Sequence, residues 1–204
     1  MQTVIVRKTA AGGESQVSLS FSGSTAIAAV ATVYRGVDPS SPIDAESTGT
    51  AKGSATVTAA SVTTSLASER LVMFEGELGT TSPPTWTAPS GMTDEVHVTN
   101  LSTASAAAAD QTPAAAGATG SRTATLSKTA NLTAALVALK PQTWTYAYDA
   151  RGNRTGITTL GATTTLTYDQ ESRLTGFGAS ATYTYNGDGL RMSKTVSGTT
   201  TAFT

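Results

Sequence analysis

Glu75 and Glu77 stand two apart in the run RLVMFEGEL, so on a strand they share one face, the arrangement that paired carboxylates need for glycoside hydrolysis. No other residue pattern supports that chemistry, and neighbouring solvent-facing charges explain the pair more simply. His97, the single histidine, alternates with Val96 and Val98 and is read as a surface or hydrogen-bonded strand residue. No Gly-x-Ser-x-Gly turn is present to focus a serine nucleophile. Asp38, Asp44 and Glu46 gather oxygen ligands of the kind Ca²⁺ takes, which makes Asp38 and Asp44 a weak metal candidate. Their spacing is not that of a calcium loop, and turn chemistry accounts for them. Asp94 and Glu95 are expected to solvate the entrance of a strand. Without cysteine there are neither disulfides nor thiolate metal sites. The expectation is therefore no catalytic residue, no enzyme and no cofactor.

The rings offer a different chemistry. Trp144, Tyr146, Tyr148, Tyr168, Tyr183 and Tyr185 fall at strand spacing, and such flat rings with polar edges can stack on sugars while still meeting water. Cross-strand pairing inside a sheet explains the same spacing. Trp86, in the Pro-rich loop SPPTWTAP, either caps a core or presents a ligand-contacting ring. Together these seven aromatics are the candidate binding residues.

The elements that must position them are strands. Charged residues make up 13% of the 204, against roughly 25% in an average globular chain, and Ala, Thr, Ser and Gly are abundant. Hydroxyl-rich alternation of this kind suits strands, so an all-β fold is expected. A net charge of -1 gives no broad attraction for nucleic acid or an anionic membrane surface. No run approaches the roughly 20 apolar residues of a membrane span, so no membrane insertion is expected. The start, MQTVIVRKTAAGG, lacks the apolar stretch of a secretory signal.

Between residues 15 and 141 the runs SQVSLSF, AIAAVATVYR, SATVTAA, RLVMFEGEL, DEVHVTN, ASAAAAD, RTATLS and TAALVALK read as strands cut by Pro-, Gly- and Ser-rich turns. They suggest a β-sandwich, jelly-roll-like, after an N-terminal extension at residues 1–14. The texture changes at Pro141, which places a boundary there and a second domain at residues 142–204.

In that second domain WTYAYDARGNR puts Trp144, Tyr146 and Tyr148 on one face. The chain then turns through Gly152 and Asn153, both able to take positive φ, and returns at Arg154. The unit recurs as LTYDQESRLTG with Tyr168, Asp169 and Arg173, and as YTYNGDGLRMSK with Tyr183, Tyr185, Asn186, Gly189 and Arg191. Tyr148, Tyr168 and Tyr185 are 20 and 17 residues apart, which means hairpins added in series to one growing sheet.

The segments YDARGNRTGI, YDQESRLTGF and YNGDGLRMSKTVSG resemble the tyrosine-aspartate (YD) repeats of the Rhs family, in which a Tyr-Asp pair leads into a short Gly-containing turn, an Arg and an apolar residue. Tyr148, Asp149, Gly152 and Arg154 carry the first copy. Glu171 and Ser172 depart from the pattern in the second copy, and Asn186 replaces Asp in the third. The resemblance implies a sheet that spirals into a hollow shell in bacterial surface or secreted proteins, often around a C-terminal toxin, as in polymorphic toxins. Some related repeats are linked to carbohydrate binding. It also implies that further YD repeats are the partners of this segment, with a cell-surface glycan as a second candidate. The chain ends mid-pattern at TTTAFT, which reads as a truncated piece of a longer product. Residues 15–141 are similar, through VYRGVDPSSPIDA, PTWTAPSGMTDE and ALVALKP, to a β-sandwich module of bacterial extracellular and phage-associated multidomain proteins. The expected function is a non-catalytic structural or interaction segment at the cell surface or secreted; a carbohydrate-binding module is the alternative.

Overall fold

The computed structural model describes residues 4–10, 12–13, 16–18, 20, 26–99, 103–113, 115–159 and 162–203. Among them there are strands and no helix. The chain divides into two compact units, residues 1–141 and 142–204.

The first unit contains β1 (Ile43–Ala59), β2 (Thr63–Thr64), β3 (Arg70–Leu78), β4 (Trp86–Thr87), β5 (Thr93–Thr99), β6 (Ala104–Gln111), β7 (Gly117–Ala118) and β8 (Arg122–Leu139). One antiparallel sheet runs β1-β8-β3-β6-β5, with β4 also paired to β8, while β2 pairs β7. Strand β8 is its axis. Residues 131–139 lie between β3 and residues 43–51 of β1, and residues 122–126 have β4 and residues 56–59 of β1 as neighbours. The sheet bends between those halves, where the β1–β8 register breaks around Ser54 and Gly53 adopts φ 54°.

The bend makes two sandwich-like layers from one sheet. Gly49 marks how closely they approach, since a Cβ there would sit 1.8 Å from the carbonyl oxygen of Thr58. Only glycine fits. Ser47 Oγ also donates across to the carbonyl of Ala60 at 2.6 Å. Between the layers, alternate residues of β8 (Ala124, Leu126, Leu132, Ala134, Leu136 and Ala138) meet Val57 and Ala59 of β1 and Leu71 and Met73 of β3. Each fully buried Leu contributes about 1.5–3 kcal/mol, and the small intervening alanines let the layers approach closely.

Several expectations change against this architecture. Residues 26–35, AIAAVATVYR, form no strand, and beside them Val37 makes only an isolated bridge with Pro141. The segment 33–37 lies at the ends of β3, β6 and β8 rather than along a sheet edge, so no ladder of partners is offered to it. The described part of SQVSLSF, residues 16–18 and 20, also lacks strand, and the rest lies outside the described residues. RTATLS and TAALVALK are one strand, β8, and SATVTAA is only the second half of β1. The Ala-rich β6 is a strand despite its helix propensity, because β3 and β5 satisfy its backbone on both edges.

The second unit is a meander of β9 (Trp144–Tyr148), β10 (Arg154–Thr159), β11 (Ala162–Tyr168), β12 (Leu174–Phe177), β13 (Ala181–Tyr185), β14 (Arg191–Val196) and β15 (Thr199–Ala202). Each is antiparallel to the next, in a sheet ordered as the chain runs. One face is tiled with hydroxyls that pair across strands, Thr158 with Thr163 at 2.8 Å, Thr184 with Ser193 at 2.6 Å and Thr195 with Thr200 at 2.8 Å. The tyrosines, Ile157, Phe177 and the buried Leu166 occupy the other. Ser197 and Gly198 both adopt positive φ, the requirement of the two-residue turn that joins β14 to β15.

Candidate functional site

The three YD turns share a side-chain bond that reaches four residues on and a main-chain bond that closes the loop. Asp149 Oδ1 accepts from the backbone N–H groups of Arg151 at 2.9 Å and Asn153 at 2.8 Å, and Asp169 Oδ1 accepts from those of Glu171 and Arg173, both at 2.9 Å. In the third turn Asn186 Oδ1 accepts from Leu190 N–H at 2.9 Å, the equivalent of the bonds to Asn153 and Arg173 four residues on. Main-chain bonds close each loop: Asp149 N–H donates to Asn153, Asp169 N–H to Arg173, and Asn186 N–H to Leu190. A short side-chain acceptor is needed to reach backbone donors two and four residues on, which is why Asp or Asn opens the turn.

Three residues after the acidic position the backbone is left-handed, at Gly152 (φ 84°), Ser172 (φ 61°) and Gly189 (φ 83°). Asn153, the other residue expected to do this, does not. Each return strand then carries a bulge, since the register steps from Arg154 to Gly156, Leu174 to Gly176 and Arg191 to Ser193. The carboxylates are held below their ordinary range, Asp149 first by the Asn153 side chain and Asp169 first by the backbone N–H of Arg173. Both are charged acceptors at neutral pH.

Successive repeats are joined at the same places. Tyr168 Oη donates to the carbonyl of Arg154 at 3.2 Å, and Tyr185 Oη to that of Leu174 at 2.9 Å. At the turn tips Arg151 donates to the carbonyl of Gln170, Asn153 Nδ2 to Ser172 Oγ at 3.1 Å, and Arg173 Nη1 to the carbonyl of Asn186 at 3.3 Å. Guanidinium groups cover the rings, with Arg154 5.5 Å from the Tyr146 centroid, Arg173 5.0 Å from Tyr185 and Arg191 4.7 Å from Tyr183. The arginines are thus ring and turn contacts. Tyr168, Tyr183 and Tyr185 are half-buried in these contacts, whereas Trp144, Tyr146 and Tyr148 on the outermost strand β9 are 53%, 48% and 62% exposed.

The remaining candidates lie in the first unit, each by itself. Trp86 packs against the core and donates Nε1–H to Ser105 Oγ at 3.0 Å, so its ring covers that core. His97 is exposed, with Nδ1 3.3 Å from Asp94 Oδ2. Asp38 caps its own turn through Ser40, and Asp44 is held by Ser65 and by Lys140 Nζ at 3.0 Å. Among the described residues no group of three His, Cys, Asp or Glu could hold a metal ion. The expectation of solvent-facing charge at Glu75 and Glu77 is overturned, because they continue the inward face of Leu71 and Met73 and are 4% and 2% exposed. Glu77 accepts from Thr80 Oγ1 at 3.0 Å, while neither oxygen of Glu75 has a hydrogen-bond partner among the described residues. Burial first, and Asp94 second, push Glu75 up to about 8, so it keeps its proton at neutral pH.

The family model described as Teneurin YD-shell matches residues 121–202, which takes in β8 and every strand of the second unit. No curated protein and no solved structure matches the chain. The match relates this chain to YD-repeat proteins, and the repeated Tyr-Asp wiring is the structural counterpart of that relation.

Proposed function

We propose that residues 142–204 serve as a non-catalytic wall segment of a larger extracellular YD-repeat assembly, in which β15 takes the next strand and the sheet continues as a shell of the kind that surrounds a toxin. The observation that carries this reading is the pair of clips from Tyr168 to Arg154 and from Tyr185 to Leu174, which repeats one joint between consecutive units. A joint that recurs unchanged can be added indefinitely, and nearest-neighbour contacts then set the stability of the whole. Inaccessible carboxylates at Glu75 and Glu77 agree with a non-catalytic role.

Extending the full chain after residue 203 with a second copy of residues 143–203 tests it. Amide exchange in β15 should slow at least tenfold as its free edge becomes paired, at about 1.4 kcal/mol per tenfold. Unchanged exchange in β15 would overturn the reading.

A second reading has its own observation, the three exposed rings Trp144, Tyr146 and Tyr148 on one edge strand. It makes this strand a glycan-binding surface, with sugar faces stacked on the rings. A glycan array probed with the chain and with Trp144→Ala should then show hits that the variant loses; no hit above background removes this reading.

A further inference from the structure

A groove of about 560 Å³ opens in the first unit between residues 33–37 and the ends of β3, β6 and β8. Small-molecule sites have about this size. Three features show construction beyond a simple gap between strands. The register of β5 steps from Asp94 to Val96 against consecutive residues of β6, and the bulged residue, Glu95, lines the groove. Ser68, also in the wall, holds φ 60°, a conformation that L side chains rarely adopt. Tyr34 Oη is shut off from solvent beside the side chains of Thr32 and Asp110. Burial foremost, with Asp110 and Glu95 adding to it, pushes this phenol up to about 12, so it remains a donor.

The charges in the groove narrow what fits. Arg70 is matched by Asp110, Nη1 to Oδ1 at 2.9 Å, and lies 5.9 Å from the Tyr34 ring centroid. Lys140 is matched by Asp44. That leaves Arg35 and Glu95, exposed groups that form no ion pair among the described residues. A simple anion would satisfy Arg35 and be repelled by Glu95, and a simple cation the reverse. A neutral polyol would satisfy neither charge. A molecule with one charge of each sign satisfies both.

We propose that this groove binds a small zwitterion of short-peptide size, its carboxylate on Arg35 and its ammonium on Glu95. Val37, Leu139 and Pro141 supply an apolar wall for the body of the ligand. These residues are separate from the repeat sheet, so the site stands or falls independently of the wall function.

Trialanine, its N-acetyl form and its C-terminal amide, titrated into the full chain and followed by NMR shifts, provide the test. Trialanine should bind saturably, with each blocked form roughly two- to fivefold weaker, as exposed charge pairs allow. Arg35→Ala should abolish discrimination against the amide, and Glu95→Gln discrimination against the N-acetyl form; both side chains are exposed, so the fold tolerates the changes. Absence of saturable binding, equal binding of all three peptides, or acetate binding as tightly as trialanine would each overturn the proposal.

Discussion

Tyr185 donates its hydroxyl to the carbonyl of Leu174, reaching back 11 residues to the return strand of the preceding repeat. Tyr168 makes the same bond to Arg154, 14 residues back. The tyrosine of the Tyr-Asp pair therefore joins repeats, while the aspartate shapes the turn within one. Their adjacency puts the joint directly beside the turn.

Tyr185→Phe keeps the ring under Arg173 and removes only the hydroxyl. The carbonyl of Leu174 loses its side-chain donor, for a cost of about 1 kcal/mol. Amide exchange in β12 and β13 of the full chain should accelerate about fivefold, by that free energy. Tyr168→Phe should have a smaller effect on β10 and β11, because its bond is longer and exposed.

The left-handed position of the turn separates backbone strain from packing. A Cβ at Gly152 would meet nothing within 4 Å and at Gly189 only the flexible end of Arg173, at 3.7 Å. Gly152→Ala and Gly189→Ala should each destabilise their hairpins by about 1–2 kcal/mol through φ alone. Ser172→Ala should cost far less, since that turn already holds a side chain at φ 61°. Urea titrations read by exchange in each hairpin distinguish the three positions.

Gly49 is a different case, limited by space rather than by φ. A methyl group there would collide with the Thr58 carbonyl, which belongs to the opposite layer and cannot move without its strand. Gly49→Ala should destabilise the first unit by about 2 kcal/mol or more while leaving the hairpins of the second unit intact. Loss of exchange protection confined to β1, β3 and β8 is the expected result.

These positions also show what the sequence could and could not reveal. The turns were legible because Tyr-Asp, Gly and Arg recur at fixed offsets, and each offset corresponds to one local hydrogen bond or one dihedral. The second copy hid its left-handed residue, because Ser172 has no glycine signature. In the first unit β3 reads Leu71, Val72, Met73, Phe74, apolar on both faces, so alternation could not tell which side Glu75 and Glu77 would join. The groove at residues 33–37 was invisible for a related reason. It depends on where distant strands end, and Glu95 enters it only through a bulge set by the pairing of β5 with β6.

Buried Glu75 makes the first unit sensitive to pH in a definite direction. Its folded value near 8 lies above the ordinary 4.5, so between those limits the folded chain binds more protons than the unfolded one. Stability is then complete below about 4.5 and falls as pH rises through about 8, the opposite of acid denaturation. Glu75→Gln keeps the shape and removes the titration. The variant should lose most of the slope between pH 5 and 8, a window taken from those two values, and be more stable than the parent above pH 7 by roughly 3–5 kcal/mol. Urea midpoints read by exchange in β3 and β6 across that window check this. A parent whose midpoint does not fall with rising pH would show that Glu75 finds water or a partner that relieves its burial.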